Sequence, residues 1–247
     1  MKESLPSNSG RVLSSHFPPR RNAPWGAPKL GHPSMLPADF YGRDFVINSD
    51  VLIPRPETEM AVDAVLNLVG KPYLPGVKPS KAKLPQDITI VDVGTGSGCI
   101  AITLKLEIPT VRMVATDISE KALKVARENA RKLGAEVEFR QADLLVGVDI
   151  QPDLVVANLP YVDETWEWLD KKALAKEPAI ALYADDGGLE LIYSLIDQVA
   201  ERGIKYLILE ADHCQHERII KYAEEKGLTN CETRGFVLCF NAGRVLS

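Results

Sequence analysis

No apolar run in this 247-residue chain approaches the roughly 18 residues of a membrane-spanning helix, so nothing in it reads as a transmembrane segment. Cysteine is scarce as well. Cys99, Cys214, Cys231 and Cys239 include no CxxC pair, which removes the commonest zinc and redox motifs and makes a reducing, cytoplasmic compartment the simplest expectation. His213, Cys214 and His216 cluster near Glu210, but their spacing fits no standard zinc motif and no metal is expected. Acid is nearly missing from Met1–Ala38, where Lys2, Arg11, Arg20, Arg21 and Lys29 face only Glu3. Helical periodicity is missing there too, and the segment is rich in Ser and Pro. It cannot bury enough apolar surface to fold alone, so a disordered basic tail is expected over 1–38. Three roles suit such a tail: an inert extension, a basic arm touching RNA or the ribosome, or an organelle transit peptide. The prolines argue against the last, because they break the amphipathic helix it requires.

The remainder is acidic. The chain carries −5 overall and the tail +4, which leaves −9 for residues 39–247 with histidines neutral. A body of that charge is not built to coat nucleic acid, although a local basic cleft stays open. The length and the 45% hydrophobic content suit one α/β domain after the tail. Strand patterns at Ile88–Val93, Arg112–Thr116, Leu154–Ala157, Tyr206–Glu210 and Phe236–Phe240 alternate with helical ones. The helical patterns begin near Glu57, Cys99, Ser119, Gly188 and Glu217. That alternation predicts a doubly wound, mostly parallel sheet. Lys71–Gln86, with Pro72, Pro75, Gly76, Pro79 and Pro85, reads as a long loop.

Two strings carry chemistry. The first, Asp92-Val93-Gly94-Thr95-Gly96-Ser97-Gly98, joins a buried strand to a helix. Its glycines permit positive φ and close backbone approach, which leaves helix N-terminal N–H groups available to a nucleotide-like ligand. Close packing of helix on strand asks for glycine equally. Asp117 ends the next strand, 19 positions after Gly98, where nucleotide-binding α/β folds place a carboxylate for a ribose diol. Capping the helix that follows is its other available role.

The second string, Asn158-Leu159-Pro160-Tyr161, follows a buried strand, and ligands of open α/β sheets bind at the carboxyl ends of strands. An amide nitrogen is a weak nucleophile because its lone pair is delocalised. Two hydrogen-bond acceptors aimed at a planar NH2 group, the Asn158 side-chain oxygen and the carbonyl of residue 159, polarise and orient it. Tyr161 offers a flat face beside it. A plain strand-ending turn is the alternative.

DVGTGSG, then Asp117-Ile118-Ser119, Gln141-Ala142-Asp143 and Asn158-Leu159-Pro160-Tyr161, together resemble the class I S-adenosylmethionine-dependent methyltransferases. Phe40-Tyr41-Gly42-Arg43 and Ile53-Pro54-Arg55-Pro56-Glu57-Thr58-Glu59 narrow the resemblance to the HemK-type glutamine N5-methyltransferases, whose substrate is the Gly-Gly-Gln glutamine of peptide chain release factors. It runs from about Phe40 to the C-terminus. It implies a Rossmann-like domain over 39–247 and S-adenosyl-L-methionine as cofactor. Cofactor contacts are implied for Asp92, Gly94, Thr95, Gly96, Ser97, Gly98, Asp117, Ile118, Asp143, Leu144 and Asn158. The catalytic string is Asn158, Leu159, Pro160 and Tyr161, and substrate contacts fall to Pro54, Arg55, Pro56, Glu57, Asn158 and Tyr161. On physics alone the charges of the Arg55–Glu59 stretch are equally a capped helix start.

The sequence departs from the family twice. Leu159 stands where relatives usually carry proline, and the helical N-terminal domain usual before the Phe-Tyr-Gly string is replaced by the Ser/Pro-rich segment. Asn-Leu-Pro-Tyr is also similar to the acceptor string of ribosomal RNA adenine dimethyltransferases, which present the same planar NH2 geometry. A non-catalytic, cofactor-binding subunit of a methyltransferase pair is the third reading.

Overall fold

The computed structural model describes residues 36–71, 84–85, 87–169, 174–175 and 177–242. The tail expected over 1–38 and the loop expected over 71–86 fall almost wholly outside the described residues.

Seven strands form one sheet. In chain order they are β3 (Thr89–Val93), β4 (Arg112–Asp117), β5 (Glu138–Gln141), β6 (Leu154–Ala157), β7 (Tyr206–Glu210), β8 (Leu228–Arg234) and β9 (Val237–Ala242), and they lie in the order β5-β4-β3-β6-β7-β9-β8. The first five are mutually parallel; β9 runs antiparallel to both β7 and β8. The sheet is doubly wound, as the alternating pattern predicts, with an antiparallel edge.

The helices are α1 (Glu59–Leu68), α2 (Cys99–Glu107), α3 (Glu120–Leu133), α4 (Glu190–Glu201) and α5 (His216–Glu225). Period-two alternation sends strand side chains to opposite faces. Ile90, Leu154, Val156 and Ile208 pack with Val62, Val65, Ile100 and Leu104 of α1 and α2. Val91, Val93, Val155, Ala157 and Leu207 pack with Ile192, Leu195 and Ile219 of α4 and α5. With both faces covered, the central strands are buried and mostly apolar, Asp92 and Thr116 apart, which is why they were legible as buried runs.

Three elements escaped the sequence reading. The first is a hairpin, β1 (Leu36–Phe40) and β2 (Arg43–Ile47), joined at Tyr41-Gly42 with φ of 54° and 71°. Two positive φ angles in succession make the tight turn whose twist matches paired strands, and a tyrosine there hides the usual signal. β5 is short and β8 is a mostly exposed edge strand with a register shift between Asn230 and Glu232; neither has the apolar face that periodicity detects. The helix expected from Gly188 begins at Glu190 instead. Before it, Asp186 and Gly187 take left-handed conformations, with φ of 53° and 67°, which no α-helix continues.

The hairpin is tied to the rest by polar contacts. The Glu59 carboxylate accepts the Tyr41 backbone N–H at 2.7 Å, and the Tyr41 hydroxyl donates to Asp63 at 2.9 Å. Asn129 of α3, fully buried, accepts from Val46 N at 2.7 Å and donates to the carbonyls of Val46 and Ser97 at 2.9 Å each. One side chain thus pins the hairpin, α3 and the glycine turn together.

Candidate active site

Register decides what meets at the carboxyl edge of the sheet. Val93 pairs with Thr116 and with Ala157, and Ala157 pairs with Leu209. The residues one step further, Gly94, Asp117, Asn158 and Glu210, therefore emerge side by side. β3 and β6 flank the point where the winding reverses, the place where open α/β sheets bind ligands.

One cleft opens there. Of the residues expected at the site, its lining holds Pro54, Arg55, Gly94, Thr95, Gly96, Ser97, Asp117, Ile118, Asp143, Leu144, Asn158, Leu159 and Pro160. Asp92, Gly98, Pro56, Glu57 and Tyr161 stand outside that lining, each for a visible reason.

The glycines divide the two roles open to them. A Cβ on Gly98 would come within 2.8 Å of Ile102 Cδ1 and 3.1 Å of Ala126 Cβ, so this glycine serves packing of α2 on α3. A Cβ on Gly94 would meet Leu159 Cδ2 at 2.9 Å. Gly96 has nothing within 4 Å of that position, and its φ is 54°; it faces the open cleft. The backbone N–H groups of Gly94 and Thr95 both donate to Thr116 O at 2.9 Å, which holds the turn over the end of β4.

Asp92 lies beneath the turn, fully buried. Its Oδ2 accepts from Thr95 Oγ1 at 2.6 Å and from Ala101 N at 3.2 Å, while Oδ1 has no partner among the described residues. Burial raises its pKa to about 7, with Asp117 adding repulsion and the two hydrogen bonds opposing. Asp117 folds back on the glycine turn: Oδ2 accepts from Gly96 N and Oδ1 from Ser119 N, both at 2.9 Å. Its pKa is also raised by burial, against those two bonds. The cap of α3 is Ser119, whose hydroxyl accepts from Ala122 N at 3.2 Å, so Asp117 is left for the cleft. Beside it Ile118 is 54% exposed, an apolar side chain on the lining with no core to join. Leu144, across the cleft, is held at φ 51° with its carbonyl accepting from Thr116 Oγ1 at 3.0 Å.

At the acceptor end, Asn158 Nδ2 donates to Thr58 Oγ1 at 3.0 Å. Thr58 ends the short 3-10 turn Pro56–Thr58, where Pro56 and Glu57 are exposed and Thr58 is buried. Tyr161 turns its hydroxyl inward, 3.4 Å from Glu210 Oε1; burial first, then Glu210, pushes its pKa upward. Its backbone is locked: Gln215 Nε2 donates to Tyr161 O and to Gly187 O at 2.8 Å each, and a Cβ on Gly188 would collide with Tyr161 O. The Gly187-Gly188 pair thus permits backbone-to-backbone contact with the acceptor string. Glu177 accepts from Ile53 N at 3.0 Å and from the Arg55 guanidinium at 2.5 Å, so Arg55, on the cleft lining where a substrate contact was expected, is paired with a carboxylate from a distant segment.

Two polar residues at the Asn158 end of this site were missed in the sequence. Thr58 sits inside the Pro-Glu-Thr-Glu string but has no charge to attract notice. Glu210, 1% exposed, ends an otherwise apolar strand; like Asp117, it is an acid at a strand's carboxyl end, and that position was its signal. Trp166 and Trp168 stack at 5.0 Å, away from the cleft lining. His213 packs its ring on Phe236 at 4.4 Å, and His216 Nε2 lies 3.2 Å from Ala211 O. Among the described residues no group of three or more His, Cys, Asp or Glu is arranged to hold a metal, and no helix is long and apolar enough to cross a membrane.

Residues 80–191 match the family model for the methyltransferase small domain. The release factor glutamine methyltransferase of Neisseria gonorrhoeae is 39% identical over 201 residues, 78% of this chain and 67% of the relative. The chain belongs to the release factor glutamine methyltransferase family. The enzyme of that name from Enterococcus faecalis is 42% identical over 163 residues, 65% of this chain and 54% of the relative. The chain thus spans about half the length of several curated family members. Among solved structures, the hMettl16 catalytic domain in complex with MAT2A 3'UTR hairpin 6 aligns with a TM-score of 0.61 at 16% identity, over 84% of this chain and 78% of that one. A methyltransferase from Pyrococcus furiosus aligns at 0.58 and 16%, over 82% and 90%. At such identity these two establish the fold, which is that of the class I methyltransferases.

Proposed function

We propose that this chain transfers a methyl group from S-adenosyl-L-methionine to the side-chain amide nitrogen of a protein glutamine, the Gly-Gly-Gln glutamine of a peptide chain release factor. Residues 39–247 are read as the methyltransferase domain, working in the cytoplasm. The observation that carries the reading is Asn158 on the cleft lining: with its nitrogen donating to Thr58, its carbonyl oxygen remains as the acceptor for a substrate NH2 group.

The residues present fit the cofactor. Gly96 leaves room for close approach of a ligand, Asp92 keeps a buried oxygen unpartnered beneath the turn, and Ile118 offers an apolar edge for a planar base. Each oxygen of Asp117 accepts one N–H bond and retains a second lone pair for a ribose hydroxyl. When bound, the cofactor supplies an electrophilic methyl group.

The chain's own residues prepare the nucleophile. Asn158 Oδ1 and the carbonyl of residue 159 accept the two amide protons of the substrate, which orients its nitrogen and polarises it. Because the second acceptor is main-chain, leucine keeps it where relatives carry proline. Leu159 also lies in contact range of Gly94 and is buried, so it couples the acceptor string to the glycine turn.

Incubation with labelled cofactor, folded release factor and naked ribosomal RNA tests the assignment. Label in the protein, little diminished by added salt, supports it. Label in RNA adenines, falling steeply with salt as phosphate contacts release counterions, transfers the case to an RNA enzyme. Cofactor binding without transfer to either favours a non-catalytic subunit.

A further inference from the structure

A side-chain amide has two ends of similar shape and opposite polarity, so a catalytic asparagine needs something that tells its nitrogen from its oxygen. Thr58 alone does not. Its hydroxyl both donates and accepts, and it satisfies an asparagine turned either way. Glu210 lies behind the pair. β6 and β7 place it one residue beyond the Ala157–Leu209 pairing, next to Asn158, and it is 1% exposed. The Thr58 hydroxyl, the Tyr161 hydroxyl and the Asn158 amide all favour its charged form by hydrogen bonding. Its Oε2 has no partner meeting full hydrogen-bond geometry among the described residues.

We propose that Glu210 is a positioning residue that sets the polarity of the Thr58–Asn158 contact and so holds the Asn158 carbonyl oxygen as the substrate-facing end. An ionised carboxylate only accepts. Glu210 stands beside Asn158 in the register of β6 and β7, so the Thr58 hydroxyl directs its proton toward Glu210 and keeps its lone pair for Asn158 Nδ2, and the same carboxylate favours the NH2 end of Asn158 directly. The degeneracy is broken without Glu210 touching the substrate. This inference rests on the reading of Asn158 as the acceptor for the substrate NH2 group.

Protonation restores the degeneracy, because a neutral carboxyl also donates. Burial raises the Glu210 pKa to about 7, and Glu57 on the 3-10 turn adds repulsion; the other titratable groups facing it are the Tyr161 hydroxyl and the Cys99 thiol. Polarity is therefore fixed above that value and relaxes as the pH falls through it.

The test compares wild type with Glu210→Gln, Thr58→Val and Thr58→Ser in the full chain. Glu210→Gln keeps the shape but regains a donor, and is expected to lower kcat on the release factor by on the order of 10²-fold with cofactor affinity by calorimetry unchanged. Thr58→Val is expected to lose as much, Thr58→Ser to retain activity, and the Thr58→Val, Glu210→Gln double variant to be no worse than either single change, as for groups that act as one unit. The acid limb of the wild-type kcat profile near pH 7 is expected to flatten in Glu210→Gln. Hydrogen exchange of the Asn158 side-chain NH2 by NMR, in the cofactor-bound protein, supplies a readout independent of turnover: protection in wild type and in Thr58→Ser, and its loss in Glu210→Gln. If wild type methylates no release factor, the functional assignment fails while the exchange measurement still decides the amide's polarity. A folded, cofactor-binding Glu210→Gln protein with wild-type kcat, or with undiminished Asn158 NH2 protection, overturns the proposal.

Discussion

Asp117 and Asn158 separate binding from chemistry. Asp117 ends β4 with each carboxylate oxygen holding one backbone N–H, and in the proposed reading its remaining lone pairs serve the cofactor. Asp117→Ala is expected to weaken S-adenosyl-L-methionine binding by about 1.5–3 kcal/mol for each charge-assisted bond lost. Unchanged affinity by calorimetry in a folded variant removes Asp117 from the site. In the proposed reading Asn158 acts on the nucleophile. Asn158→Ala is expected to lower kcat by about 10²–10³, as when one preorganised donor or acceptor is deleted, with cofactor affinity near wild type. Normal turnover contradicts the mechanism. Arg55 lies on the cleft lining, as a substrate contact would, and its ion pair with Glu177, distant in sequence, is what the string alone does not reveal. Thr58 and Glu210 are hidden in the same way, since only the register of β6 against β7 and the turn before α1 reveal what they face.

At the scale of elements, the glycine turn is where one motif carries two functions. Gly98→Ala meets Ile102 and Ala126 inside 3.2 Å in a left-handed conformation, φ 82°, and is expected to lower the melting temperature sharply. Gly96→Ala meets nothing. It is expected to cost only the left-handed strain, about 1–2 kcal/mol, while weakening cofactor binding. Thermal melts paired with calorimetry check both, and equal losses of stability contradict the division. The central parallel strands β3, β4, β6 and β7, with α1 to α5 and the cleft end of the sheet, were legible because buried strands read as apolar runs and surface helices as periodic ones. The β1–β2 hairpin was not: Tyr41 occupies a positive-φ position that sequence rules reserve for Gly, Asn or Asp, and it is held there by Glu59 and Asp63 from α1. β8 was not, because an exposed edge strand needs no apolar face. The Phe-Tyr-Gly-Arg string, read as part of a family pattern, serves structure: Phe40 and Phe45 stack edge to face in the core, and Tyr41 ties the hairpin to α1.

For the whole molecule, the carboxylates gathered at the sheet's edge leave a signature in stability. Asp92 has a folded pKa near 7 against an ordinary 3.8. Between those values the folded state holds a proton that the unfolded state has lost, so stability falls as pH rises from about 4 to about 7 and levels off beyond. Glu210, raised to about 7 as well, adds to the same slope, and Asp92→Asn removes the share that belongs to Asp92. The variant is expected to gain melting temperature over wild type at pH 7.5 and to gain little at pH 4.5, whereas an equal difference at both values contradicts a buried Asp92 with raised pKa. The acidity of the body, −9 outside the first 38 residues, suits the proposed protein substrate better than RNA. Peptide mapping of a folded release factor after incubation with the chain and S-adenosyl-L-methionine tests that conclusion most directly. The expected result is one added methyl on the side-chain nitrogen of the Gly-Gly-Gln glutamine, absent with Asn158→Ala. An unmodified glutamine beside methylated adenine in ribosomal RNA would contradict it.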